Sequence, residues 1–250
     1  MIIVGMSDPI VAARQVVQDR FPEAVAAFLG GSTARGEGTA TSDLDIVVIR
    51  PEPGEVYRET VRHAGWPVEF FVQTPASLRT MLAWDRANGV PTIASMCAHG
   101  LTLLDRDGTA GQFRALAEQT LAAGPAPVAA DTLETRRYLV TDLHDDLLGA
   151  ADQDELLVIA ALLLDRTAEL LLSTGGHWQG VGKWLPRRLR AAHPDLADQL
   201  LTGHRTLARG GSRTPFAEAV TAALAHCGGP LQAGYRRAAS PELLAGPTTG

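Results

Sequence analysis

Lysine is nearly missing from this chain: of 22 basic residues, Lys183 is the sole lysine and the rest are arginine. Cysteine is almost as scarce. Cys97 and Cys227 lie far apart in unlike contexts, which excludes a disulfide framework and fits a reducing cytoplasm. The longest apolar stretch, Leu156 to Leu164, is too short to cross a bilayer as a helix, so no membrane partner is expected. The N-terminal Met1-Ile2-Ile3-Val4-Gly5-Met6-Ser7-Asp8 has no basic segment followed by a long apolar one, and no signal peptide is expected there. Positive charge is also in deficit. The net charge is -6, with 28 acidic against 22 basic residues, which argues against a general nucleic-acid binder and suits a cationic ligand. Composition carries no signal of oligomeric state.

What remains is ample for two packed cores. The chain has 250 residues and 46% hydrophobic content, which favours two modest domains over one. Asp8 and Pro9 open a predicted helix that runs to Arg20. Ala24 to Leu29 reads as a strand that enters a turn at Gly30-Gly31. Thr33 to Thr41 reads as a helical turn and loop. Leu44 to Ile49 is a second strand, stopped by Pro51 and Pro53, and Val68 to Val72 a third. Helices follow over Pro75–Asn88 and Thr92–His99, then a strand over Leu101–Leu104 and a helix over Gln112–Ala123.

Gly124-Pro125-Ala126-Pro127 reads as a linker. Beyond it the pattern is helical: Asp131–Leu148, Asp154–Leu172, Pro194–Leu207 and Pro215–His226, with a frayed tail after Ser240. The expectation is an α+β chain, with a mixed sheet and helices over residues 1–124 and a helical bundle over residues 131–240.

Chemistry concentrates near the first turn. A Gly30-Gly31-Ser32 turn exposes backbone N–H groups suited to phosphate oxygens, and the Ser32 hydroxyl adds a donor. A short loop later, Asp43 and Asp45 open the second strand. Residues two apart on a strand face the same way, so the two carboxylates converge. Side by side they repel unless a cation lies between them, and a divalent metal facing a phosphate answers that need. Glu69 interrupts the apolar run Val-Glu-Phe-Phe-Val. Burying an unpaired carboxylate is costly, so Glu69 should face a metal, a cation or the mouth of a site.

Gly31-Ser32-Thr33-Ala34-Arg35-Gly36 followed by Ser42-Asp43-Leu44-Asp45 resembles the nucleotidyltransferase superfamily with the polymerase-β-type fold. More specifically, it looks like the branch that holds the aminoglycoside and minimal nucleotidyltransferases. The resemblance implies transfer of a nucleoside monophosphate from ATP or another NTP, with two Mg²⁺ ions, to an acceptor hydroxyl. It implies Asp43 and Asp45 as metal ligands and Ser32 on the β and γ phosphates. Glu69 either completes the metal site or acts as general base. Arg35 either supports the triphosphate or covers the turn.

In the helical half, Lys183 lies between Gly182 and Trp184, and Arg187 and Arg188 just after it read as a solvated helix start. A compact ammonium suits a phosphate better than a surface ion pair. The resembling two-domain enzymes place such a lysine on the triphosphate, and the alternative is a lone surface lysine. Asp142, Asp145 and Asp146 share one helix face. That face is either solvated or the wall of an acceptor site, with Asp142 the candidate base. Arg137 and His144 have a spacing reminiscent of HEPN-type ribonucleases, without other support. His177 and Trp178 either stack on a ring of a ligand or pack their loop. The acceptor expected is a small hydroxylated cation such as an aminoglycoside. The alternative is an antitoxin-type enzyme that adds AMP to a protein partner, although that class is usually one short domain. A binding module without catalysis would be marked by a missing carboxylate, and all three are present.

Overall fold

The computed structural model describes residues 8–39 and 42–238. The readings made on Met1 to Ser7, on Thr41 and on the tail after Ser240 lie outside the described residues. The chain divides into two compact units, Met1–Ala126 and Pro127–Gly250, at the segment read as a linker.

The first unit runs α1 (Pro9–Arg20), β1 (Ala26–Leu29), α2 (Gly31–Ala34), β2 (Leu44–Ile49), β3 (Tyr57–His63), β4 (Trp66–Gln73), α3 (Pro75–Asn88), α4 (Thr92–His99), β5 (Leu101–Asp105) and α5 (Thr109–Ala122). Asp8 opens α1 by accepting the amides of Ile10 at 2.9 Å and Val11 at 3.0 Å. Thr74 and Ser77 form a reciprocal capping box at the start of α3, and Gly89 ends that helix in the left-handed region.

The sheet order is β3-β4-β2-β1-β5. β2 and β4 are parallel; the other pairs are antiparallel. One face packs Leu44, Ile46, Val48, Phe70 and Val72 on α1, and the other packs Phe28, Val47 and Ile49 on α3, α4 and α5. Asp43, Asp45 and Glu69 belong by alternation to the second face, at its end where the strands begin.

β3 was not expected from the sequence. It forms the outer edge of the sheet and reaches β4 through Ala64 and Gly65, both at positive φ, as a tight hairpin turn needs.

The second unit runs α6 (Ala130–Gly149), α7 (Gln153–Thr174), α8 (Trp184–Ala192), α9 (Pro194–Ala208) and α10 (Thr214–His226). Its own core joins Val140, Leu163, Leu171, Leu189, Leu200 and Phe216. At Gly203 a Cβ would stand 2.7 Å from the Phe216 backbone, so glycine sets how closely α9 approaches α10. Of α8, only a helix start at Arg187 and Arg188 was expected. The fold is α+β, a mixed sheet with helices followed by a helical region. Among the described residues no helix is long and apolar enough to cross a membrane.

Candidate metal and phosphate site

Asp45 and Glu69 are direct neighbours in the parallel β2–β4 register. Leu44, Ile46, Val68 and Phe70, which flank them in sequence, are all fully buried, so alternation turns the two carboxylates away from the α1 core. Asp43 stands one step before β2 and is exposed; Asp45 and Glu69 are half-buried. One oxygen from each of the three lies within 4.8 Å of the others. Three hard, anionic oxygens at that spacing fit Mg²⁺ or Mn²⁺ and would suit a soft metal poorly.

The glycine turn is built against this cluster. The amide of Gly30 donates to the Asp45 carbonyl at 2.7 Å. Gly31 has φ +68°, and a Cβ there would lie 2.1 Å from Asp45 Oδ2. Glycine is thus required twice, for the left-handed backbone and for the close approach of the carboxylate. Ser32 Oγ meets Ser42 Oγ at 3.2 Å, and Thr33 Oγ1 donates to the Asp43 carbonyl at 3.1 Å. The single helical turn α2 is therefore strapped to the segment that carries Asp43. Arg35 Nε donates to Glu37 at 3.3 Å.

Glu69 already has a cation. Arg58 of β3 donates Nε to Glu69 Oε1 at 2.6 Å, with Glu69 only 17% exposed and Arg58 66%. The hydrogen bond that Arg58 donates to Glu69 holds its guanidinium above its ordinary range; burial opposes this, and the charges of Glu69 and Asp45 add to it. The expectation that Glu69 faces a cation is met by a residue the sequence did not single out.

Gly31, Ser32, Asp43, Asp45 and Glu69 are thus drawn together within the first unit. Lys183 and Asp142 belong to the second. Lys183 is exposed at the residue before α8, beside Gly182 at φ +55°. Asp142, Asp145 and Asp146 are all exposed on α6, and Asp145 accepts from Gln232 Nε2.

Arg137 and His144 serve packing: Arg137 Nε donates to the Gly229 carbonyl at 3.1 Å, and His144 Nε2 meets the Ala217 carbonyl at 3.2 Å. His177 sets its ring edge-on to His193 at 5.5 Å, and His193 does the same to His226 at 5.1 Å. Arg187 and Arg188, read as a solvated helix start, both lie over the Trp184 ring inside α8. Burial lowers the Arg188 pKa.

Residues 10–82 match the family model described as "Nucleotidyltransferase domain". The matched segment spans α1 to α3 and includes every residue of the carboxylate cluster, the glycine turn and Arg58. A solved structure of a nucleotidyltransferase-like protein from Exiguobacterium sibiricum is similar at a TM-score of 0.44 and 16% sequence identity, over 87% of this chain and 73% of that one. No curated protein matches the sequence.

Proposed function

We propose, from the match of residues 10–82 to a nucleotidyltransferase domain, that the protein moves a nucleoside monophosphate from an NTP, with ATP the first candidate, to a hydroxyl of a small cationic acceptor of the aminoglycoside type. The observation that carries this reading is the convergence of the Asp43, Asp45 and Glu69 oxygens within 4.8 Å beside the Gly31 turn. Bound Mg²⁺ ions would supply charge stabilisation to the attacking and leaving oxygens of an in-line displacement.

The chain's own residues do the rest. Asp43 and Asp45 hold the ions, and Glu69 completes their oxygen set. The backbone at Gly31 and the Ser32 hydroxyl hold the β and γ phosphates, with Arg35 alongside. Lys183 is assigned to the triphosphate from the helical unit, which binds the acceptor. The acceptor oxygen forms its bond to the α-phosphorus while the bond from that phosphorus to the departing pyrophosphate oxygen breaks. The hydroxyl proton passes to a carboxylate, with Asp142 the candidate base. A net charge of -6 favours a cationic acceptor. Two buried free thiols, Cys97 and Cys227, support a reducing cytoplasm.

The test is pyrophosphate release from labelled NTPs with Mg²⁺ and a panel of aminoglycosides. Release that depends on the acceptor and falls at least about a hundredfold in Asp45→Asn is the expected result. Label transferred to a co-purifying protein would instead assign the antitoxin-type activity. Tight binding of Mg-NTP without release from any NTP would refute nucleotidyl transfer by this chain.

A further inference from the structure

The Arg58–Glu69 pair has a consequence for how the carboxylate cluster is loaded. Arg58 stands opposite Phe71 in the β3–β4 ladder, diagonal to Glu69, and its guanidinium crosses to Glu69 Oε1 at 2.6 Å. Glu69 is one of three residues whose oxygens converge within 4.8 Å. Thus one side of the cluster already carries a positive charge from the protein itself. Arg58 also borders an open cavity of about 630 Å³ at the start of β3, which Glu55 and Glu59 line as well. Glu59 lies on the opposite face of β3, where it bonds Arg20 at 2.9 Å.

We propose that Arg58 is a resident counter-ion of the carboxylate cluster, sharing Glu69 with an incoming divalent cation and giving up its hold on Glu69 when that cation binds. Arg58 then restrains metal binding until a triphosphate adds its own negative charge. It is a positioning residue that acts through Glu69 and touches no reacting atom. The inference rests on the metal-site reading of Asp43, Asp45 and Glu69.

Two effects of Arg58 pull in opposite directions. It fixes the Glu69 rotamer, which favours a metal, and it repels a divalent cation while occupying one Glu69 oxygen, which disfavours it. Glu69 is half-buried on a central strand and flanked by fully buried Val68 and Phe70, so β4 already limits where its carboxylate can go. Repulsion and competition therefore dominate. An exposed charge pair is worth up to about 1 kcal/mol, or about fivefold in affinity.

The experiment is calorimetric titration of Mn²⁺ into the full chain without nucleotide, in wild type, Arg58→Gln, Arg58→Lys, Glu69→Gln and the Arg58→Gln/Glu69→Gln double variant. Arg58 is largely exposed on an edge strand, so these substitutions leave the fold intact, which circular dichroism verifies. Arg58→Gln should bind Mn²⁺ up to about fivefold tighter. Arg58→Lys, which keeps the charge, should stay within about twofold of wild type. The gain from Arg58→Gln should vanish in the Glu69→Gln background, a coupling that a merely structural role would not produce. In the wild type, the Arg58 Nε–H resonance should shift as Mg²⁺ is added. Mn²⁺ binding in the wild type with no tightening in Arg58→Gln overturns the role of Arg58 alone. Wild-type binding no stronger than that of Asp45→Asn overturns the metal site and this inference together.

Discussion

Gly31→Ala should disable the carboxylate cluster without altering any carboxylate. Two separate costs meet at this residue. Its φ of +68° lies in the left-handed region, where an L side chain costs about 1 kcal/mol. The added Cβ would also stand 2.1 Å from Asp45 Oδ2, far inside contact distance. The Asp45 carboxylate is the end of a rotatable side chain, so it retreats and the fold survives. A displacement of about 1 Å at a reacting centre costs about a hundredfold in rate.

Gly36→Ala separates the two costs. Gly36 has nearly the same backbone, φ +71°, and nothing within 4 Å of its would-be Cβ. Both variants should lose about 1 kcal/mol of stability, a melting-temperature drop of roughly 4 °C for a unit of this size. Only Gly31→Ala should lose Mn²⁺ binding by calorimetry and pyrophosphate release by coupled assay. Equal Mn²⁺ affinity in the two variants would refute the claim that Gly31 makes room for Asp45.

Lys183→Ala should weaken NTP binding about tenfold in a fluorescent-nucleotide titration and leave acceptor binding unchanged, and equal NTP affinity would remove Lys183 from the triphosphate. Gly203→Ala should lower the thermal stability of the helical unit by about 1–3 kcal/mol, because its Cβ meets the Phe216 backbone at 2.7 Å; calorimetry of that transition checks it. Burial pushes Asp85 up to about 6 against the opposing pull of the Ala94, Ile93 and Thr92 amides, so its contribution is full below 3.8 and is lost as pH rises through 6. Wild type should therefore gain about 2 kcal/mol relative to Asp85→Asn between about pH 7 and pH 4.5, measured by urea unfolding of the first unit. His193, lowered first by burial and then by the neighbouring His226, has the opposite sign: its contribution is full above 6.5 and is lost as pH falls through the lower folded value. The helical unit should lose stability on mild acidification, and His193→Gln should flatten that loss.

The parts of this fold that were legible in the sequence are those where burial is symmetric or caps are strong. β2 is apolar on both faces apart from Asp45, so its range can be read directly. α1 and α3 announce themselves through Asp8-Pro9 and Thr74-Pro75. β3 was not legible because it is an edge strand with a faint alternation. Tyr57, Glu59, Val61 and His63 are half-buried and only two of them are apolar, while Arg58, Thr60 and Arg62 are exposed. Its hairpin turn uses Ala64-Gly65 instead of the Asn-Gly or Asp-Gly that would flag it. α8 was hidden by Gly180, Gly182 and Pro186. Pro186 falls in the first helical turn, where no intrahelical N–H bond is lost. The three carboxylates were legible because a charge inside an apolar run needs an explanation. Arg58 was not, because its relation to Glu69 exists only once β3 is paired with β4.

That dependence explains why the cluster holds together at all. Three carboxylates within 4.8 Å repel one another. The sheet supplies the constraint. Asp45 and Glu69 are set on adjacent parallel strands between residues with no exposure, so neither strand can slip by one residue without turning a whole apolar set outward. The same ladder that fixes Glu69 beside Asp45 carries β3 along its outer edge and brings Arg58 within hydrogen-bond reach. The protein's own guanidinium and a divalent cation are therefore two answers to one electrostatic problem posed by the β2–β4 register. Exchange between them follows from the placement of an exposed arginine against a half-buried, strand-anchored glutamate.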